Sequence, residues 1–192
     1  DIFKIGLGPS SSHTMGPMNA ACTFVDDLAG SGALERTAKV GAQLYGSLAL
    51  TGRGHCTDRA VLLGLEGNRP DTIEPEAIEP ALERIRSDHR LRLAGHREIE
   101  FDEPLDLLFH QDQTLPLHPN GLRFTALDAA GEVLLREELY STGGGFIVRA
   151  ADFGRAVAGA SSVEVPYPFD SARELLQASR DNGLELHELM LA

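Results

Sequence analysis

Cysteine is scarce: the chain has two in 192 residues, Cys22 and Cys56, far apart and outside any C-x-x-C pair. That spacing gives neither a zinc signature nor a disulfide framework, and two thiols are too few for an iron–sulfur cluster held by the usual cysteine set. Cations are also short, 17 Lys and Arg against 29 Asp and Glu, for a net charge of −12 and a pI near 4.9. Nucleic-acid binding relies on clustered Lys and Arg to neutralise phosphates, so this balance argues against a nucleic-acid partner. No apolar run approaches the roughly 20 residues of a membrane span, and the N-terminus has no basic stretch leading into an apolar core. No membrane association is expected, and the expected location is cytoplasmic. Internal repeats and low-complexity tracts are missing too.

What remains is the composition of an ordinary globular protein, 42% apolar and 24% charged, at a length that supports a substantial core. Met18, Ala21, Cys22, Val25 and Leu28 recur at helical spacing and predict a helix over about 14–30, ended by Gly30-Ser31-Gly32. Residues 37–45, "TAKVGAQLY", alternate as a strand, and Gly46-Ser47 opens a short helical "SLALTG". Thr57-Asp58 is placed to cap a helix over Ala60 to Leu65. Residues 69–80 read as a surface connection before a charged helix, "PALERIRSDHRL". From 91 to 149 strands dominate: "RLRLAGHREIEFD", a short piece near "QTLPLHPNG", "LRFTALDAAG", "EVLLREELYS" and "GGFIVRA". Pro119, Asn120-Gly121 and Ala130-Gly131 fall where hairpin or bulged turns belong. A helix over 170–182, with Asp170 or Ser171 as cap and Gly183 as stop, precedes "LELHELMLA", the opening of a further helix. That ending, and a start at Asp1 without methionine, lead to the expectation of a fragment of a longer chain.

Three stretches carry chemistry. "GPSSSHT", residues 8–14, places Ser10, Ser11, Ser12, His13 and Thr14 at a helix N-terminus. Ser12 or Thr14 there serves as a cap, and free N–H groups with a partial positive charge suit a small carboxylate or phosphate. His13 adds a group that exchanges protons near neutral pH. The second stretch runs from Tyr45, Gly46 and Ser47 through Gly52 to Asp58 and sets His55 close to Gly54 and Gly52, beside Thr57, where little packs against it and a ligand can approach. Cys56 reads as a small packing residue. The third, "YSTGGGF", has Gly143, Gly144 and Gly145 between strands, which marks a bulge or a close approach of backbone. It has neither the lysine of a phosphate-binding loop nor dinucleotide-fingerprint spacing. The remaining histidines, His89, His96, His110, His118 and His187, read as solvated.

The blocks "FKIGLGPSSSHTMGPMNAA", "YGSLALTGRGHCTDRAVLLGLEGN", "LPLHPNG", "YSTGGGFIV" and "VPYPFDSARELL", in this order across nearly the whole chain, resemble the beta domain of bacterial iron–sulfur-dependent L-serine dehydratase (L-serine ammonia-lyase). The resemblance implies an α+β fold, with helices packed on a mixed, largely antiparallel sheet, similar to the allosteric substrate-binding domain of some D-3-phosphoglycerate dehydrogenases. It implies a beta domain over 1–183, with 184–192 leading toward an alpha domain whose cysteines bind a 4Fe-4S cluster. The cluster's ligands then lie outside this chain, and no cofactor is expected on it.

The implied reaction is elimination without pyridoxal phosphate, in which L-serine loses its α-proton and hydroxyl and ends as pyruvate and ammonia. An open iron would act as a Lewis acid on the hydroxyl. Carried to matching positions, His55 and His13 become the catalytic candidates, with His55 favoured as base. Ser10, Ser11, Ser12, Thr14, Tyr45, Ser47, Thr57, Asp58, Gly143, Gly144 and Gly145 become candidate substrate contacts. The partners implied are L-serine, the alpha domain and a second copy in a homodimer. Two alternatives stay open: a composite site inert without the alpha domain, or a regulatory serine-binding and dimerisation module with no catalytic residue.

Overall fold

The helix read from Met18, Ala21, Cys22, Val25 and Leu28 is α1, Gly16–Gly30, and all five side chains are buried. A computed structural model describes residues 6, 8–154, 166–169 and 171–191 and comprises two compact units, Asp1–Phe153 and Gly154–Ala192. In the first unit, one wide turn of π type, Ser11–Met15, leads into α1. Strand β1, Lys39–Tyr45, runs directly into α2, Gly46–Thr51, and a 3-10 turn, Gly52–His55, precedes α3, Thr57–Leu65. Helix α4, Pro75–Asp88, is followed by a hairpin of β2, Arg90–Leu93, and β3, Arg97–Glu100. Then come α5, Glu103–Asp106, β4, Leu107–His110, β5, Gly121–Leu127, β6, Val133–Gly143, and β7, Phe146–Arg149.

The second unit contains α6, Ala172–Asn182, and α7, Leu186–Leu191. Ser171 Oγ caps α6 by accepting the Glu174 N–H at 3.2 Å, and Gly183 ends it in the left-handed region. Asp170, the alternative cap, lies outside the described residues.

Five strands form the main sheet in the order β4-β1-β5-β6-β7, with β1 and β4 parallel and the other neighbours antiparallel. The fold is therefore α+β with helices on a mixed, largely antiparallel sheet. Alternation decides its faces: Val40, Ala42 and Leu44 of β1 and Leu122, Phe124 and Ala126 of β5 are fully buried and form the floor of the core. Phe24 of α1 stacks on Phe124 with ring centroids 5.2 Å apart, and burial of each such ring is worth about 1.5–3 kcal/mol. Helices α1 and α3 cross closely because residue 64 is glycine; a Cβ there would lie 2.4 Å from the Met18 carbonyl oxygen.

The structure departs from the residue pattern in three places. The strand placed near residues 113–121 is a loop, and the strand in that region is β4, four residues long and paired in parallel to β1. So short an edge strand has too little alternation to be read; its partner defines it. Helix α4 begins at Pro75, inside the stretch taken for a connection, because Ile78, Leu82 and Ile85 give it a buried stripe despite Pro80. Asn120-Gly121 makes no hairpin turn but opens β5, whereas Gly131 does turn between β5 and β6 with φ 83°.

Candidate active site

The two loop-to-helix junctions lie against each other. At the first, Ser10 has extended backbone and its Oγ accepts the His13 N–H at 3.2 Å, which makes Ser10 the cap rather than Ser12 or Thr14. Those two hydroxyls are used elsewhere. Ser12 Oγ meets His13 Nδ1 at 2.9 Å, and Thr14 Oγ1 donates to the His55 carbonyl at 2.7 Å.

At the second junction Gly46 has φ 54°, and a Cβ on it would come within 2.3 Å of the Pro119 carbonyl oxygen, so only glycine passes there. The tight turn presents Ser47 Oγ to His13 Nε2 at 3.0 Å. Both nitrogens of His13 are thus held by hydroxyls. Thr57 is fully buried and does not cap α3; its hydroxyl donates to the His13 carbonyl. Cys56 turns the chain from His55 into α3 with φ 57°, a left-handed conformation unusual for a side-chain-bearing residue, so it acts in the turn and not merely as packing.

The rings of His13 and His55 stand with centroids 5.0 Å apart and planes tilted by 46°. His55 Nδ1 lies 2.9 Å from the Thr51 carbonyl oxygen. A carbonyl only accepts, so Nδ1 carries the proton of the neutral ring and Nε2 keeps its lone pair. Nε2 has no hydrogen-bond partner among the described residues. Burial, and secondarily the neighbouring His55, push the pKa of His13 below its ordinary 6.5, against a smaller upward effect of the Ser47 hydrogen bond. His13 is accordingly neutral at pH 7.

The glycine-rich turn joins the same place. Gly143, Gly144 and Gly145 all have positive φ, from 60° to 100°. Gly144 N–H donates to Ser11 Oγ at 3.2 Å, and Asn19 Nδ2 donates to the Gly145 carbonyl at 2.9 Å. Just before the turn, the fully buried Ser141 donates from Oγ to the Ser12 carbonyl at 2.7 Å. Gly16 makes room for it, since a Cβ there would sit 2.0 Å from Ser141 Oγ.

Of the residues expected at the site, Ser10, Ser11, Ser12, His13, Thr14, Ser47, His55, Thr57 and the three glycines come together. Tyr45 and Asp58 do not. The Tyr45 ring lies on the other face of the sheet, stacked on His110 at 4.8 Å, its hydroxyl between Gln43 and Arg123. Asp58 faces Arg86 at 3.6 Å. His110, read as solvated, is half-buried, and its Nε2 is enclosed without a hydrogen-bond partner among the described residues. Asn19, Asn120 and Ser141 join the cluster's hydrogen bonds without having been singled out; Asn19, a polar residue on a buried helix six positions past His13, was the readable signal.

Among the described residues no three His, Cys, Asp or Glu side chains stand close enough to hold a metal. Cys22 is buried, donates to the Asn68 carbonyl, and has its pKa pushed up to about 11, chiefly by burial. Cavities of 410, 340 and 400 Å³ border α5 and the open sheet face, and neither His13 nor His55 lines them. Hydrogen-bond geometry marks the site.

Fold and site together define an α+β unit that gathers paired imidazoles, hydroxyls and a glycine turn at the meeting point of two helix N-termini. The sequence profile of the serine dehydratase beta chain family matches residues 1–152, and the chain belongs to that family. It is 46% identical over 192 residues to L-serine dehydratase 2 of Escherichia coli (strain K12), covering 100% of this chain and 41% of that protein. It is 43% identical to L-serine dehydratase of Haemophilus influenzae over 100% of this chain and 42% of the relative. The Streptomyces coelicolor L-serine dehydratase gives 44%, again over 100% of this chain and 42% of the relative. The chain thus spans about two fifths of the length of these relatives.

Proposed function

We propose that the chain is the N-terminal beta domain of an L-serine ammonia-lyase and supplies the proton-transfer half of a composite site. The observation that carries this reading is the pairing of His55 with His13, with His55 Nε2 left basic and unengaged. The domain is assigned to 1–183, with 184–192 leading toward an iron–sulfur alpha domain. In this reading the 4Fe-4S group and its action on the departing hydroxyl belong to that other domain, and the steps assigned here are those of this chain alone.

In these steps His55 Nε2 takes the α-proton of L-serine, the C–H electron pair becomes the Cα–Cβ double bond, and the hydroxyl leaves with its bonding pair and becomes water on taking up the proton that His55 then releases. The 2-aminoacrylate formed tautomerises to an imine, and water converts it to pyruvate and ammonia. His13 is poorly suited to be the base, because hydroxyls occupy both of its nitrogens. It orders the site beside His55. Among the hydroxyls, those of Thr14 and Thr57 are spent on backbone carbonyls. Ser11 is different: it is exposed and uses its oxygen as acceptor, leaving its proton to meet the substrate carboxylate beside the amides of the glycine turn. The open surface around the histidines fits a site closed by the alpha domain.

In the enzyme carrying both domains, His55→Asn lowers kcat by roughly 10²–10⁴-fold, the usual contribution of a positioned acid–base group. An unchanged kcat overturns the assignment.

The second reading is a regulatory serine-binding and dimerisation module like that of some D-3-phosphoglycerate dehydrogenases. It is favoured by the 400 Å³ groove on the open sheet face, where Lys39, Arg123 and Arg136 stand against Asp106. Calorimetric titration of this chain with L-serine separates the two. Tight binding without the alpha domain favours regulation, and no binding favours the composite site.

A further inference from the structure

Both hydrogen bonds of the His13 ring lead back to one corner of the chain. On the Nδ1 side, Ser12 Oγ holds the ring at 2.9 Å, and the carbonyl of Ser12 accepts from Ser141 Oγ at 2.7 Å. Ser141 is bound in turn by Asn120 through two contacts: Asn120 Nδ2 donates to its carbonyl at 3.1 Å, and its N–H donates to the Asn120 carbonyl at 3.0 Å. On the Nε2 side, Ser47 Oγ holds the ring at 3.0 Å, and Ser47 N–H donates to the carbonyl of Pro119 at 2.9 Å. Pro119 and Asn120 are adjacent. Asn120 is 9% exposed, and its own N–H is received by His118 Nδ1 at 3.1 Å, so the corner is itself secured.

We propose that Asn120 is a positioning residue for His13, acting through Ser141 and Ser12 on one ring nitrogen and through Pro119 and Ser47 on the other. This rests on the reading that His13 lies in the serine site; the geometry of the clamp does not. An asparagine suits the role because its amide reaches the Ser141 carbonyl beyond the end of the β5–β6 ladder, where no strand N–H is left to do so. Ser141 cannot shift to compensate, since Gly16 is packed directly over its hydroxyl. Asn120 makes no hydrogen bond to the His13 ring itself. Its effect is to keep both hydroxyls in place, and with them the ring's tautomer and its distance from His55.

The test is nuclear magnetic resonance titration of the His13 ring in the 192-residue chain, comparing wild type with Asn120→Ala and Ser141→Ala, neither of which adds a charge. Both variants are expected to move the His13 midpoint upward toward 6.5, because a freed ring regains solvent and leaves His55, and these effects outweigh the loss of the Ser47 hydrogen bond. The ring nitrogen shifts should also report mixed tautomers. Leu82→Ala, a core substitution remote from the corner, is the control for lost stability and leaves the His13 midpoint unchanged. If Asn120→Ala does not fold, Ser141→Ala cuts the same relay with Asn120 intact and carries the test. Variants that lower Tm but titrate like wild type at His13 overturn the proposal and leave Asn120 a purely structural residue. In the two-domain enzyme, Asn120→Ala is expected to lower kcat several-fold with KM little changed. A shifted His13 with unchanged kcat upholds the clamp and overturns the placement of His13 in the site.

Discussion

The hydroxyl of Thr14 donates to the backbone carbonyl of His55, the first residue lying one position past His13 and the second two positions before Thr57, whose hydroxyl returns the bond to the carbonyl of His13. Each histidine-bearing junction is thus latched by a threonine of the other. The latches hold the two backbones together and leave both imidazoles free for other partners.

Removing either latch leaves a half-buried carbonyl without its donor. Thr57→Val keeps the shape of a fully buried side chain and deletes its hydroxyl, so it should cost about 1–3 kcal/mol of stability. Thr14→Val should cost a similar amount, and the double variant should lose less than the sum, since the two bonds secure one contact. Urea unfolding of the four proteins measures this; strict additivity would show the latches to be independent.

The site glycines are not equivalent. Gly16→Ala places a methyl 2.0 Å from Ser141 Oγ, and Gly64→Ala places one 2.4 Å from the Met18 carbonyl oxygen. Each should cost about 1–3 kcal/mol as overpacking, and Gly16→Ala should additionally disturb His13. At Gly54 a Cβ meets nothing within 4 Å, so Gly54→Ala should stay within about 0.5 kcal/mol of wild type. Equal losses at Gly54 and Gly16 would contradict the packing described.

Stability should depend on pH through His13. Its folded pKa lies below the 6.5 it regains on unfolding, so the unfolded chain binds more protons in that window. The contribution is complete above about pH 7 and is lost as pH falls from 6.5 through the lower folded value. Urea midpoints should therefore decline between pH 7 and pH 5, and His13→Asn should flatten the decline; an equally steep decline in the variant refutes the assignment to His13.

The two cysteines should differ sharply toward iodoacetamide. Cys22 is buried and its thiol is pushed up to about 11, so little thiolate exists at pH 8. Cys56 is half-buried and should take the label first in the native chain, with Cys22 following only after unfolding. Mass spectrometry of the labelled peptides decides; early labelling of Cys22 would show that α1 opens.

Much of the site was legible because its signals are local. A run of hydroxyls ahead of a helical stripe, a histidine among glycines, and three glycines between strands each express backbone and solvation preferences within a few residues. Ser141 and Asn120 carried no such signal: the bond from Ser141 to Ser12 spans 129 positions and the one from Asn120 to Ser141 spans 21. Tyr45 shows the converse. Its place directly before Gly46 suggested the site, yet strand alternation sends its ring to the opposite face, onto His110.

The α+β class came from the family resemblance, whereas residue order alone established the helix with its cap region and the chemical types at three loops, since periodicity and turn preference act over short distances. It could not say that the loops meet. That was decided by the register of β5 on β6, by the passage of Gly46 under the Pro119 carbonyl, and by the close crossing of α1 and α3 at Gly64. These are packing contacts between distant segments, and only their combined geometry puts His13 5.0 Å from His55.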